Sequence, residues 1–211
     1  MGDQKTRTDE TLVFAIRNLF ETDSSFCDVE LIGTDSERVA AHRTILAARS
    51  KVFETLLYGQ FSEASKPSVS LGYSGYVLRM IAEYCYTDHI KLLDGDCSTE
   101  KIALVCQLAA AADYFHLPHL CEKIAVWAKS KMDGAAPTIA WSFLIFGDKF
   151  KTHGKLSDCT MSHIIAKFAE ATKDPSSVPF ADLSPSLLES IVTDERLGRM
   201  LSEDQIILLL K

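Results

Sequence analysis

The sequence contains no hydrophobic run long enough to cross a lipid bilayer, and no apolar secretory signal stands near Met1. Its longest apolar runs, such as residues 141 to 146, are far shorter than the roughly 20 residues that a membrane helix needs. Residues 1 to 10 are polar and lack the apolar core of a signal peptide. These absences predict no membrane contact and a cytoplasmic or nuclear location.

An excess of basic side chains is also missing. The chain has 22 Lys and Arg against 29 Asp and Glu, which gives a formal net charge of -7. Non-specific binding to nucleic acid depends on clustered Lys and Arg side chains that neutralise phosphates. The charge balance therefore argues against a direct nucleic-acid partner, and an acidic surface by itself names no other partner.

Signatures of catalysis and of nucleotide binding are absent as well. The chain has neither the GxxxxGK[ST] pattern nor the GxGxxG pattern that cradles phosphates. No cysteine or histidine stands in a recognisable nucleophile signature. The sequence thus predicts that the protein is not an enzyme and that it needs no cofactor.

The six cysteines show no paired framework, so in a reducing compartment we expect them to be small buried hydrophobic residues. One set of residues has the chemistry for zinc: Cys106, His116, His119 and Cys121. His119 and Cys121 are only two positions apart on a predicted helix, so their side chains cannot easily converge on one ion. We therefore interpret the set as core and surface residues around a helix start, with no metal site.

What the sequence does contain is a strong pattern near its N-terminal end. Residues 27 to 31 alternate between apolar and acidic side chains, the two-residue period of a half-buried strand. Polar residues 33 to 36 predict a turn, and residues 38 to 41 can return as a second strand. Helical spacing then follows, with an apolar face on residues 52 to 57. A β-hairpin that leads into two short helices is predicted.

This stretch resembles the BTB (POZ) domain family. Members carry Cys-Asp-Val, then Ala-His-Arg at the start of a helix, then Leu-Ala-Ala-x-Ser-x-x-Phe. Here these elements stand at residues 27–29, 41–43 and 46–53, with the family's spacing. The resemblance covers roughly residues 10 to 132, and it implies an α+β fold in which a short β-sheet is flanked by a helical cluster.

After a polar tail at residues 1 to 9, the sequence predicts an amphipathic helix with a wide apolar face. That face consists of Leu12, Val13, Ile16, Leu19 and Phe20. The helix could cover the core of its own domain, or it could pack across a two-fold axis against a second subunit. A helix of this kind builds the homodimer in BTB domains, so the resemblance favours the second interpretation.

Three polar residues of the motif are candidates for a peptide-binding groove. In the family, the residues that correspond to Asp28 and Arg43 lie near each other beside the dimer groove, with His42 next to them. The residues could form a structural ion pair or a helix-start interaction, which we favour. They could instead bind peptides, as in transcriptional repressors that the chain resembles.

The connection at residues 59 to 67 is polar except for one isolated aromatic residue, Phe61. An exposed aromatic side chain often marks an interface, where single anchors in pockets dominate the binding energy. Cullin-binding members of the family carry a hydrophobic-x-Glu motif in this loop, and Phe61 and Glu63 match it. The resemblance implies that these two residues bind a cullin; the alternative is that Phe61 folds back over its own helix pair.

The remainder of the chain is predicted to be almost entirely helical. Val69 and Leu71 indicate one more short strand, and helices are predicted over residues 76–86, 102–112 and 117–127. The second of these helices has an apolar stripe of Ile102, Val105, Ala109 and Ala112, and Pro118 marks the start of the third. Beyond a break at residues 133–137, a helix with Pro137 in its first turn should bury a stripe of Ile139, Phe143, Phe146 and Phe150. The next, from about Asp158 to Ala171, should bury Met161, Ile164, Ile165 and Phe168.

The last two predicted helices begin at recognisable capping sequences. Ser184 with Pro185 is a good helix start, and Ser202 to Gln205 has the spacing of a capping box. Residues 133 to 211 resemble the BACK helical domain that commonly follows BTB domains. Because BACK domains normally continue past this point, the sequence predicts either an incomplete BACK-like domain or a short member of the family.

Together, the two resemblances imply a homodimeric, non-catalytic adaptor. It would recruit an unidentified substrate protein to a cullin-3 RING ubiquitin ligase through the BTB domain. The alternative is a BTB module for dimerisation and corepressor binding in a transcriptional regulator. The BACK-like segment after the BTB domain favours the adaptor.

Overall fold

A computed structural model describes residues 11–21, 26–60, 62–133, 136–171 and 182–198. The chain divides into two compact units. The first comprises residues 1–91 and 114–117, and the second comprises residues 92–113 and 118–211. The domain boundary predicted at residue 132 stays a prediction.

A three-stranded sheet lies in the first unit. Strand β1 (Val29–Ile32) pairs antiparallel with β2 (Arg38–Ala41) and parallel with β3 (Ser68–Ser70), so that β1 is central. Val29, Leu31 and Val39 are buried, which confirms the period of two in the hairpin. Leu71 was predicted to lie in the third strand, but it lies just after the end of β3. Its N–H still donates to the carbonyl oxygen of Ile32, the last residue of β1, at 2.9 Å.

The hairpin turn depends on a glycine. The Gly33 N–H donates to the Glu37 carbonyl oxygen at 2.9 Å, and the Asp35 carboxylate accepts the N–H of Gly75 at 2.9 Å. A Cβ atom on Gly33 would lie 2.3 Å from the backbone nitrogen of Gly75, closer than any real contact. The turn is thereby held against the start of the helix that begins at Gly75.

Among the described residues of the first unit, four α-helices accompany the sheet: α1 (Leu12–Glu21), α2 (Arg43–Arg49), α3 (Lys51–Tyr58) and α4 (Gly75–Thr87). The predicted pair of short helices after the hairpin is confirmed as α2 and α3, with Ser50 alone between them. Helix α1 packs against α4.

Later in the chain the structure describes α5 (Thr99–Tyr114), α6 (Pro118–Met132), α7 (Pro137–Lys149), α8 (Lys155–Ala171), α9 (Pro185–Val192) and α10 (Glu195–Gly198). The starts predicted at Pro118, Pro137 and Pro185 are confirmed. Proline suits a first helical turn because its missing N–H would have no partner there. The helix predicted from Ser202 lies outside the described residues.

Helix α5 is buried on more sides than a single stripe. The predicted positions Ile102, Val105, Ala109 and Ala112 are buried, and so are Cys106, Leu108 and Ala111. Small residues such as alanine allow close approach by neighbouring elements on several sides.

Among the described residues, no helix is both long and apolar enough to span a membrane.

The predicted apolar stripes of α7 and α8 were partly wrong. In α7 only Phe143 of the stripe is buried, while Phe146 and Phe150 are half-buried and stack on each other with ring centroids 6.3 Å apart. Trp141 and Leu144 are buried instead, because α7 packs against both α6 and α8 and so buries a different face.

In α8 the helix begins at Lys155, three residues before the predicted start at Asp158. Ile164 and Ile165 are buried as predicted, but Met161 is only half-buried. The side chain of Phe168 lies outside the described set.

Candidate functional site

The candidate site is assembled around the junction of β1, α2 and the segment that follows α3. Asp28 immediately precedes β1, and its Oδ1 accepts the backbone N–H of Arg43 at 2.7 Å, the first residue of α2. Nε of Arg43 donates in return to the backbone carbonyl oxygen of Asp28 at 3.2 Å. A carboxylate at a helix N-terminus satisfies a free amide and faces the positive end of the helix dipole. The predicted proximity of Asp28 and Arg43 is therefore present as a helix-start interaction.

The guanidinium group of Arg43 is engaged by three backbone carbonyls. Nη1 donates to Leu57 O at 3.0 Å and to Ala64 O at 2.7 Å, and Nη2 donates to Lys66 O. Leu57 lies in the last turn of α3, and Ala64 and Lys66 lie beyond it. One side chain thus bridges both ends of the connection after α3. No sequence pattern indicated these contacts, because the acceptors are backbone atoms whose identity is independent of side-chain type.

His42 belongs to a second network that leads to α1. Its backbone N–H donates to the hydroxyl oxygen of Tyr86 at 2.8 Å, and its Nδ1 lies 2.6 Å from the same oxygen. A phenolic oxygen can accept two hydrogen bonds and donate one, so the tautomer of His42 decides whether Nδ1 donates to the Tyr86 hydroxyl or accepts from it. Burial raises the pKa of Tyr86 above its usual range, so the hydroxyl stays protonated.

Helix α1 presents part of its apolar face to solvent. Leu12 is 77% exposed, whereas Ile16 and Leu19 are half-buried. Phe20 packs on Tyr86 of its own chain, with ring centroids 4.9 Å apart. The side chain of Val13 lies outside the described set. Phe14 was not part of the predicted apolar face. It is 47% exposed and lies about 200° around the helix from Leu12.

The structure describes only part of the predicted cullin-binding motif. Phe61 lies outside the described residues, and so does the side chain of Glu63. The backbone of Glu63 belongs to a 3-10 turn at Ser62–Ser65 that follows α3. Helix α3 ends at Tyr58, and the next residue, Gly59, caps it by donating its N–H to the Thr55 carbonyl oxygen at 2.9 Å. The motif therefore follows directly from the C-terminus of α3.

A groove along α3, which we call the α3 groove, was not predicted. It has a volume of about 330 Å³ and is lined by Lys51, Val52, Thr55, Leu56, Tyr114 and His116. Tyr114 is 55% exposed, so its ring is available at the surface. Tyr114 and His116 are far from α3 in sequence, which is why periodicity could not connect them to it. The sequence had considered His116 only as part of a zinc set.

The cysteines are less uniformly buried than predicted. Cys85 and Cys106 are buried, but the other four are half-buried, and all six are free thiols. Burial raises the pKa of the Cys85 and Cys106 thiols to about 12. Within the part of the chain that the structure describes, no three His, Cys, Asp or Glu side chains group as metal ligands.

Comparison with known proteins finds several chains of similar sequence. Human Kelch-like protein 2 is 33% identical over 82 residues, which cover 38% of this chain and 14% of that protein. Protein maternal effect lethal 26 of Caenorhabditis elegans is 26% identical over 191 residues, which cover 89% of this chain and 45% of that protein. The chain thus corresponds to a minor part of these relatives.

Among solved structures, the BTB domain of zebrafish PATZ1 is similar to this chain, with 23% sequence identity and a TM-score of 0.41. The match covers 53% of this chain and 83% of the PATZ1 chain. The BTB/POZ domain model matches residues 16–131, which is more than half of the sequence. The chain therefore belongs to the BTB/POZ domain family.

Proposed function

We propose that this protein is a homodimeric, non-catalytic adaptor that recruits a substrate protein to a cullin-3 RING ubiquitin ligase. BTB proteins are generally non-catalytic adaptors or regulators, so an interaction role follows from the family. The cullin assignment rests on the Phe61-x-Glu63 match to the motif of cullin-binding members. The observation that carries it is the position of this motif, at the end of the helix that forms the α3 groove.

The α3 groove supports this assignment by its chemistry. Val52 and Leu56 are one helical turn apart, so they lie on the same face of α3, and Tyr114 adds an exposed aromatic ring. A groove with an apolar floor and a polar rim suits the apolar face of an amphipathic helix. Phe61 would add an apolar anchor beyond the end of α3, and Glu63 would add a charge at the rim.

The alternative is corepressor binding through Asp28, His42 and Arg43. Asp28 and the Arg43 guanidinium already serve backbone groups of their own chain, and His42 Nδ1 is bonded to Tyr86. A peptide that competed for these groups would leave the carbonyls of Leu57 and Ala64, whose bonds to Arg43 are part-buried, without their donor, and an unsatisfied carbonyl that is shielded from water destabilises the fold. This internal engagement favours the adaptor over the corepressor module.

The helices after residue 132 fit the adaptor as well. Helices α7 to α10 follow the family match, and α9 is capped by Ser184, within the segment that resembles a BACK domain. We propose that this segment is a BACK-like extension that separates the BTB dimer from a substrate-binding element. The chemistry of the substrate stays open.

The test is direct binding to the purified N-terminal domain of cullin-3. We expect Phe61→Ala to weaken binding about thirty-fold or more, which corresponds to about 2 kcal/mol for a central aromatic anchor. Glu63→Ala should cost less, and its effect should fade as salt rises, because a rim charge is screened. Tyr76→Ala is the matched control, since Tyr76 is an exposed aromatic residue on α4; it should bind as the wild type does.

Isothermal titration calorimetry with parallel thermal melts separates the alternatives. If Phe61→Ala lowers the free energy of unfolding by several kcal/mol, Phe61 is a core residue and the motif match is accidental. If the wild type shows no binding at tens of micromolar, the cullin assignment is wrong and the corepressor module becomes the better proposal.

A further inference from the structure

The most heavily engaged polar side chain of the candidate site is Arg43. Four of its hydrogen bonds go to backbone carbonyl oxygens, those of Asp28, Leu57, Ala64 and Lys66. We propose that Arg43 is a positioning residue: its guanidinium fork holds the backbone at Leu57, Ala64 and Lys66, on both sides of Phe61 in the loop at residues 58–66. This inference rests on the proposed function, since this loop carries the Phe61-x-Glu63 motif.

The geometry of the bonds brackets the loop. A single nitrogen, Nη1, contacts Leu57 O at 3.0 Å and Ala64 O at 2.7 Å, two carbonyls that are seven positions apart in sequence. Nη2 contacts Lys66 O, and the next carbonyl, Pro67 O, accepts the N–H of Glu30 in β1 at 2.9 Å. The chain is therefore held where it leaves α3 and again where it joins the sheet.

The guanidinium also suits the end of α3 on electrostatic grounds. Leu57 is the penultimate residue of α3, so its carbonyl has no partner within the helix. A cation at this end interacts favourably with the helix dipole. Arg43 thus supplies both a hydrogen bond and a charge where α3 passes into the loop.

Lysine could supply the charge but not the fork. Arginine presents N–H donors from three nitrogens in one rigid plane, whereas lysine has one ammonium group on a flexible stem. Arg43→Lys should therefore keep the charge near α3 and lose the simultaneous contacts to both ends of the loop. The inference depends on this difference between geometry and charge.

Asp28 separates positioning from a role in ligand binding. Asp28→Asn keeps a side-chain oxygen that can accept the backbone N–H of Arg43. It should leave the contacts between the Arg43 guanidinium group and the loop unchanged, because those contacts are to other residues. If Arg43 positions the loop, Asp28→Asn should have little effect on cullin binding. If the Asp28–Arg43 pair were itself the binding site, the loss of either charge would matter.

The first experiment is hydrogen exchange in the free protein, which needs no partner. Arg43→Lys should speed exchange in residues 57–67 by about tenfold or more, because local opening there no longer breaks the bridge. Exchange across α4 should stay unchanged. Arg49→Lys is the matched control, since Arg49 is on the same helix and pairs with Asp88; it should leave residues 57–67 unaffected. Equal acceleration in α4 and in the loop, or none in the loop, would overturn the proposal.

The second experiment is a double-mutant cycle on binding to the cullin-3 N-terminal domain. Arg43→Lys should weaken binding about tenfold in the wild-type background and much less in the Phe61→Ala background, because residues that act through one another are not additive. Full additivity would mean that Arg43 does not act through the loop. If the wild type does not bind cullin-3, the proposed function fails, and the exchange result still decides whether Arg43 shapes the loop.

Discussion

We expect the loss of one hydroxyl group, that of Ser50, to lower the stability of the BTB domain by several kcal/mol. It is 2% exposed, and its hydroxyl caps α3 by accepting the N–H of Phe53 at 3.2 Å. The same hydroxyl donates to the carbonyl oxygen of Phe115 at 2.6 Å, at the point where the chain turns with a φ of 52° at His116. The rings of Phe53 and Phe115 stack with centroids 4.3 Å apart. One oxygen thus joins two buried backbone groups.

Ser50→Ala removes both interactions at once. Loss of an N-cap hydroxyl costs typically about 1 kcal/mol. A buried carbonyl that is left without its donor costs a further ~1–3 kcal/mol. We therefore expect the free energy of unfolding to fall by about 3 kcal/mol, which for a chain of this size lowers the melting temperature by roughly 6–12 °C.

The measurement is urea unfolding followed by far-UV circular dichroism, with Ser74→Ala as the matched control. Ser74 caps α4 by accepting the N–H of Val77 at 3.4 Å, so its loss should cost only about 1 kcal/mol. The difference between the two variants isolates the bond to Phe115. If Ser50→Ala costs no more than Ser74→Ala, the bond to Phe115 contributes nothing and the reasoning fails.

Two further predictions concern assembly and thiol chemistry. Leu12→Asp combined with Ile16→Asp should convert a dimer into monomers or insoluble protein, because charges would be buried without partners; a monomeric wild type in light scattering at micromolar concentration would contradict this. The buried thiols of Cys85 and Cys106 have a pKa of about 12. Only about one such thiol in ten thousand is ionised at pH 8, so iodoacetamide should modify them only after urea unfolding, as mass spectrometry would show. Rapid labelling of Cys106 in the folded protein would refute the burial argument.

Local patterns in the sequence were sufficient for most elements and for the family. The alternation at residues 27–31 predicted a half-buried strand because side chains in a strand alternate between two faces. Pro118, Pro137 and Ser184 marked helix starts because proline and a capping hydroxyl act on neighbouring backbone groups. These interactions span only a few residues, so the sequence alone determined them.

Tertiary structure decided which faces are buried and what the polar residues contact. Phe146 is half-buried and Trp141 is buried because the neighbours of α7 come from distant parts of the chain. Arg43 binds carbonyls beyond α3, and Tyr114 joins the α3 groove, although no sequence period links these positions. Every residue carries a backbone carbonyl, so the sequence does not indicate which carbonyls will accept a hydrogen bond. Contacts between distant segments form only once the chain has folded.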